Sequence, residues 1–225
     1  MPTTLAFDVY GTLINTSGIN HILEQYIGDR SETFMDLWRS KQLEYSFRRG
    51  LMQKYERFSV CTRNALDYSD AFFNLDLTED QKISLMGKYR FLPTFPDVKE
   101  SLVKLQSSDC RMFAFSNGFG DDVKNLIKNA GIDIYFEDVV SVDDIKTFKP
   151  SPEVYAHFLK KSGSTAAESW LISGNPFDVI GAVSVGMNSA WVKRSPKTVF
   201  DPWEIQPTVT VTSLTDLNDI LIKYC

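Results

Sequence analysis

The sequence predicts a doubly wound α/β fold, a parallel sheet with helices on both faces, carrying an inserted helical cap. Three observations predict it. Short apolar runs alternate with amphipathic stretches of helical length. Polar segments follow several of those runs directly, as they do at the carboxyl ends of parallel strands. One long stretch, residues 16–92, breaks the alternation and shows helical periodicity alone. The chain of 225 residues, 43% apolar and 24% charged, is long enough for one sizeable core with a smaller insert and too apolar to be globally disordered.

Taken in order, residues 5–9 read as the first buried strand. Within residues 16–92 the apolar side chains recur at helical spacing, as in Phe34, Leu37 and Trp38 and then Leu43, Phe47 and Leu51. This segment ends at Pro93-Thr94-Phe95-Pro96, where two prolines mark a hinge. Beyond it helices are predicted over 98–105, 121–130, 152–161 and 177–186, and strands over 111–115, 169–172 and 189–192. Further strands near 139–142 and 208–212 and a closing helix over 214–224 complete the plan. The resulting units are a core of residues 1–15 and 93–225 and a cap of residues 16–92. The sequence shows no internal repeat and no low-complexity segment.

With 24 Lys and Arg against 29 Asp and Glu, the net charge is −5, which leaves no electrostatic footprint for nucleic acid or an anionic membrane. An anionic substrate must therefore meet cations placed locally. No apolar run approaches the roughly 20 residues needed to span a bilayer, and the opening residues lack a basic stretch followed by an apolar one. Cys61, Cys110 and Cys225 are odd in number and far apart, which suits reduced thiols. The expectation is a protein of the cytoplasm.

Listing the polar residues that follow each strand gathers the candidate site. These are Asp8 with Tyr10, Gly11 and Thr12, then Ser116-Asn117-Gly118, Lys149-Pro150, and Ser173-Gly174-Asn175 with Asp178. Each piece alone is bland. A Ser-Asn-Gly is an ordinary turn, and in Lys149-Pro150-Ser151-Pro152 the serine suits a helix cap and the second proline a first helical turn, leaving Lys149 a solvated loop lysine.

Together, their order and spacing resemble the haloacid dehalogenase superfamily, and within it the 2-haloacid dehalogenase branch. The resemblance runs over nearly the whole chain, from Phe7-Asp8-Val9-Tyr10-Gly11-Thr12-Leu13 to Ser173-Gly174-Asn175-Pro176-Phe177-Asp178. It implies a Rossmann-like core and a carboxylate nucleophile, Asp8, which displaces a leaving group to form an ester that water then hydrolyses. Lys149 is placed to offer Asp8 a counter-charge. Most members of the superfamily are magnesium-dependent phosphatases, whose second acid in Asp-x-Asp protonates a departing alkoxide. Here that position is Tyr10, and the first member of their later acidic pair is Ser173, leaving only Asp178. Two carboxylates make a poor site for a hard octahedral cation. A halide leaves as a stable anion and needs hydrogen-bond donors but no proton.

The resemblance further implies that Arg39 reaches from the cap to the departing halide. Ser116, Asn117 and Lys149 would receive the substrate carboxylate, and Tyr10, Leu43, Phe58 and Phe177 would line the pocket around its alkyl group. Asp178 would be the base that activates water, oriented by Ser173 and Asn175. Thr12 and the backbone N–H groups after Asp8 would receive the ester oxyanion. His21 and His157 match no site position and read as satisfied surface histidines. The expectation is hydrolysis of a short L-2-haloalkanoic acid to a 2-hydroxy acid with inversion, without metal or organic cofactor. A homodimer is compatible with the exposed cap. The rivals are a magnesium-dependent phosphatase of the same superfamily and a non-catalytic carboxylate-binding relative.

Overall fold

The structure, a computed structural model, describes residues 2–224. Its sheet has six parallel strands, β1 (Thr4–Asp8), β2 (Arg111–Ser116), β3 (Asp138–Ser141), β4 (Ser169–Ser173), β5 (Asn188–Val192) and β6 (Val209–Val211), in the order β3-β2-β1-β4-β5-β6. The central strands β1 and β4 are buried along their whole length, as strands covered on both faces must be. Alternation sends Leu5 and Phe7 to one face and Ala6 to the other. The first face packs on α5 (Val98–Gln106), α6 (Gly120–Asn129) and α9 (Leu214–Leu221), through Leu102, Leu126 and Leu217. The second packs on α7 (Pro152–Ser162) and α8 (Pro176–Ser184), through Tyr155, Phe158 and Ala182. Each large apolar side chain buried in this way contributes about 1.5–3 kcal/mol.

Among the described residues, every regular element between residue 16 and residue 92 is helical. They are α1 (Asn20–Ile27), α2 (Ser31–Leu51), α3 (Phe58–Phe73), α4 (Glu79–Lys88) and short 3-10 turns. Thr78 and Gln81 form a reciprocal capping box that starts α4. The two chain crossings into and out of this insert are paired. Asn15 N–H donates to Pro93 O at 2.8 Å, and Phe95 N–H donates to Leu13 O at 3.1 Å. The prolines thus end a helical stretch as the sequence predicts, and the crossing they form is tied by backbone hydrogen bonds.

Strand order reverses beside β1: the chain runs outward to β2 and β3, then returns to β4 on the other side. Ligands bind in the crevice at the carboxyl ends of the strands at such a point. Asp8, Ser116 and Ser173 are the last residues of β1, β2 and β4, so this topology brings three polar side chains to one edge. Gly174 is required just beyond: a Cβ there would lie far inside van der Waals contact with the backbone oxygen of Gly11. The two loops meet this closely only because one of them has no side chain.

One expectation is corrected. Cys61 is buried and free, but Cys110 is disulfide-bonded, so the reading of three reduced thiols fails and its support for a cytoplasmic protein falls away. Cys225 lies outside the described residues. Separation along the chain is a poor guide here because distant segments meet below the sheet. Cys110 precedes β2, which pairs with β1, and Thr3 Oγ1 beside β1 donates to Tyr224 O, whose ring packs on Trp170. Among the described residues no helix is long and apolar enough to cross a membrane.

Candidate active site

Asp8 is buried at the end of β1, and its two oxygens have different surroundings. Oδ2 accepts three side-chain hydrogen bonds, from Thr12 Oγ1 at 2.7 Å, Asn175 Nδ2 at 2.7 Å and Ser173 Oγ at 3.2 Å. Among the described residues Oδ1 accepts from Lys149 Nζ alone, at 3.2 Å. The tight turn after β1 delivers Thr12, its N–H groups closing the turn internally: Gly11 N–H donates to Ile14 O, and Thr12, Leu13 and Ile14 N–H all donate to Val9 O. These groups are therefore committed to the turn, and the expectation that the backbone after Asp8 receives an oxyanion is corrected at Gly11 and Thr12. Side-chain donors stand there instead.

Lys149 is 1% exposed, which removes the reading of a solvated loop lysine. Its ammonium donates to Asp8 Oδ1, to Phe115 O at 2.9 Å and to Asp178 Oδ2 at 2.8 Å. All three N–H bonds are thus used within the protein, leaving none for a substrate carboxylate. Burial alone lowers the Lys149 pKa, but Asp178 and Asp8 outweigh it and the net shift is upward. The lysine is a fixed cation between two carboxylates. Ser151 sits at the start of α7 without capping it through its side chain, and Pro152 occupies the first turn.

Asp178, in the first turn of α8, is fully buried, and burial pushes its carboxyl up to about 6, against the opposing charge of Lys149. Its orienting partners are Lys149 and Tyr155, whose hydroxyl donates to Asp178 Oδ1 at 2.8 Å. Ser173 and Asn175 do not orient it, contrary to the expectation. They sit on the β4 side of Asp8 and turn their donors to that carboxylate, while Asp178, one helical turn later, faces α7. Gly181 makes room for the Tyr155 hydroxyl, since a Cβ at that position would run into the phenol ring.

A small cavity of about 10 Å³ lies over Asp8, room for about one water molecule. Its polar wall is Asp8, Arg39, Ser116, Asn117, Lys149 and Asn175, and its apolar wall is Tyr10, Leu43, Phe58 and Phe177. Every residue assigned from the sequence to substrate contact is therefore brought to one space. Thr12, Ser173 and Asp178 lie behind Asp8 and do not line it. Arg39, on α2, reaches the core through Nη2, which donates to Asn175 Oδ1 at 3.3 Å. Burial lowers the Arg39 pKa while Tyr89, Asp8 and Tyr10 oppose the change; a guanidinium starts high enough to stay charged. Asn117 Oδ1 accepts from Lys149 N–H at 2.9 Å, which directs its amide NH2 toward other acceptors. Ser116 Oγ accepts from Gly118 N–H and keeps its own proton free to donate.

Sequence reasoning missed two residues. Tyr155 looks like one more apolar residue of α7, and only the fold reveals its hydroxyl partner. Gln42 holds Arg39 through Oε1, at 2.6 Å from Nη1, and donates through Nε2 to Thr62 Oγ1 on α3. A signal for Gln42 existed, since positions three apart share a helix face. Among the described residues His21 and His157 have Gln25 and Asp144 as their side-chain hydrogen-bond partners. Among the described residues no group of three or more His, Cys, Asp or Glu side chains converges as a metal-ligand set.

Comparison with known proteins places this arrangement. The family model of the haloacid dehalogenase-like hydrolases matches residues 5–192. The chain is 32% identical over 217 residues to (S)-2-haloacid dehalogenase 2 of Pseudomonas sp. (strain CBS-3), covering 96% of this chain and 94% of that one. It is 33% identical over 190 residues to haloacetate dehalogenase H-2 of Moraxella sp. (strain B), covering 84% and 85%. Among solved structures it resembles the L-2-haloacid dehalogenase of Xanthobacter autotrophicus with chloropropionic acid covalently bound, with a TM-score of 0.92 and 30% identity over 98% of each chain. A polar site at the switch point of a 3-2-1-4-5-6 sheet, under a helical insert and with this motif order, has one consistent assignment: the chain belongs to the haloacid dehalogenase-like hydrolases, in their (S)-2-haloacid dehalogenase branch.

Proposed function

We propose that the protein is a hydrolytic dehalogenase that converts short L-2-haloalkanoic acids to 2-hydroxy acids through an ester at Asp8, with residues 16–92 acting as a cap over a core of residues 1–15 and 93–225. The observation that carries this reading is the composition of the space over Asp8. An apolar wall and the Arg39 guanidinium face the carboxylate, and the residue two positions after it is Tyr10, a phenol made less acidic by burial, where a carboxylic acid would be needed to protonate a departing alkoxide efficiently.

The asymmetry of Asp8 assigns its oxygens. Oδ1, with a single donor, is the nucleophile: it attacks C2, the carbon–halogen bond breaks, and halide departs as an anion toward Arg39 and the apolar wall. Oδ2 becomes the carbonyl oxygen of the ester. When water attacks Cγ, its proton passes to Asp178, and the negative charge grows on an atom already facing Thr12, Ser173 and Asn175. The tetrahedral adduct collapses with cleavage of the Cγ–Oδ1 bond, the product alkoxide takes a proton from the Asp178 carboxyl, and the Asp8 carboxyl that is left releases its own proton to water, which restores the carboxylate. C2 is attacked once, so its configuration inverts. Ser116 and Asn117 have the free donors to receive the substrate carboxylate, while Lys149 holds Asp8 and Asp178 in place. In this mechanism Lys149 supplies the positive charge between the two carboxylates, so no step calls for a divalent cation.

A single turnover in water enriched in heavy oxygen tests the route. The label is expected in the Asp8 carboxyl and absent from the hydroxy acid. Label appearing directly in the product would mean that water attacks substrate carbon, and would refute the ester.

A further inference from the structure

The cavity over Asp8 holds about one water, whereas a 2-haloalkanoate is several times larger than the roughly 30 Å³ of a water in the liquid. Substrate must therefore displace part of the lining as it enters. On the far side of Tyr10 and Phe58 lies a second cavity of about 610 Å³, between α3, α4, the turn after α4 and the loop leading into α6. Tyr10 and Phe58 line both spaces, their ring centroids 6.2 Å apart. These two rings belong to the lining of both cavities, and no backbone hydrogen bond has to break for a ring to rotate.

The charges around the outer cavity are uneven. Arg63 is neutralised there by Asp67 and Glu79. Arg57 and Arg90 make no ion pair among the described residues, and Asp122 is the one lining carboxylate. Arg57 is exposed, its guanidinium 3.8 Å from the centre of the Phe119 ring, and it directly precedes Phe58 of the shared lining. A chain of net charge −5 thus keeps two arginines outside any ion pair among the described residues, against one lining carboxylate, in a chamber beside its candidate active site.

Resting on the dehalogenase reading above, we propose that this outer cavity is an antechamber that collects small carboxylates through Arg57 and passes them between Tyr10 and Phe58 to Asp8. A local cation raises the concentration of an anion near the inner site without touching it during the reaction. Its contribution therefore appears in KM, is screened by salt, and depends on charge more than on shape.

The test is chloride release from L-2-chloropropionate by the wild type and by Arg57→Lys, Arg57→Gln and Arg57→Glu, from low to about 0.15 M ionic strength, with Lys160→Glu on the exposed surface of α7 as a charge-matched control. Melting temperatures check that each variant folds. Arg57→Glu is expected to raise KM about tenfold at low salt with kcat within about twofold, and to flatten or reverse the salt dependence. Arg57→Gln is expected to fall between it and the wild type, Arg57→Lys to stay near the wild type, and Lys160→Glu to change little. Unchanged KM and salt dependence in Arg57→Glu, or equal losses in all three Arg57 variants, would overturn the antechamber while leaving the dehalogenase intact. No chloride release by the wild type would instead sink the dehalogenase reading, and the antechamber with it.

Discussion

Two carboxylates, Asp8 and Asp178, share one lysine, and their different surroundings separate their tasks. Asp8 is held by hydroxyl, amide and ammonium donors, whereas Asp178 is buried deeply enough for its carboxyl to rise to about 6. Replacing Asp8 by Asn removes the nucleophile and keeps the shape, so turnover is expected to fall at least ~10³-fold, because binding alone does not replace a covalent step; a steady-state halide-release assay checks this. A base must be ionised, and Asp178 becomes protonated as pH falls through about 6. In the ester the Asp8 charge that helps raise Asp178 is gone, so the rate of ester hydrolysis is expected to fall about tenfold per pH unit below a point lower than that value, read as the acidic limb of kcat in a pH profile. The Tyr155 hydroxyl favours the ionised form of Asp178. In Tyr155→Phe that limb should move to higher pH, a displacement that simple loss of packing would not produce.

Strand ends, the turns that follow them and the cap helix α2 supply the site, and the close approach of the turns is as specific as the side chains they carry. The turn after β1 and the turn after β4 meet at Gly11 and Gly174, linked by Gly174 N–H donating to Thr12 Oγ1 at 2.8 Å. Gly174→Ala forces the two backbones apart. A loss of about 1–3 kcal/mol is expected from such overpacking, measured by urea unfolding, together with a drop in turnover, since Thr12, Ser173 and Asn175 would no longer converge on one oxygen. On the cap side, α2 and α3 are joined through buried polar groups. Gln42 bonds both Arg39 and Thr62, and Trp38 Nε1 donates to Thr62 O at 2.8 Å. This fixes Arg39 before any ligand arrives, so its donors need little reorganisation when charge develops on a departing halide.

Across the whole molecule, the helical insert and the sheet share one apolar cluster. Phe34, Trp38, Leu66 and Leu85 of the insert belong to the same buried group as Leu5, Phe7, Val98 and Leu102. A continuous core of this kind unfolds cooperatively. Phe34→Ala is expected to destabilise the protein by about 3–5 kcal/mol and to shift a single transition. Circular dichroism and tryptophan fluorescence should report the same midpoint, because Trp38 lies in the insert and Trp170 and Trp191 in the sheet. Two separated midpoints would show that the insert folds on its own.

The order of elements was legible in the sequence because local chemistry decides it. Buried parallel strands need continuous apolar runs and cap helices need apolar residues at helical spacing, so the predicted strands and helices agree with the structure to within a few residues. The site was legible to the extent that its residues end strands, as Asp8, Ser116 and Ser173 do. Only the tertiary structure decided which groups face one another. It turned Ser173 and Asn175 to Asp8, gave Asp178 to Lys149 and Tyr155, used every N–H of Lys149 inside the protein, and made Cys110 part of a disulfide. The physical reason is that periodicity records how each segment meets water and core, whereas a hydrogen bond between residues on different elements depends on strand order and crossing geometry, which leave no local trace.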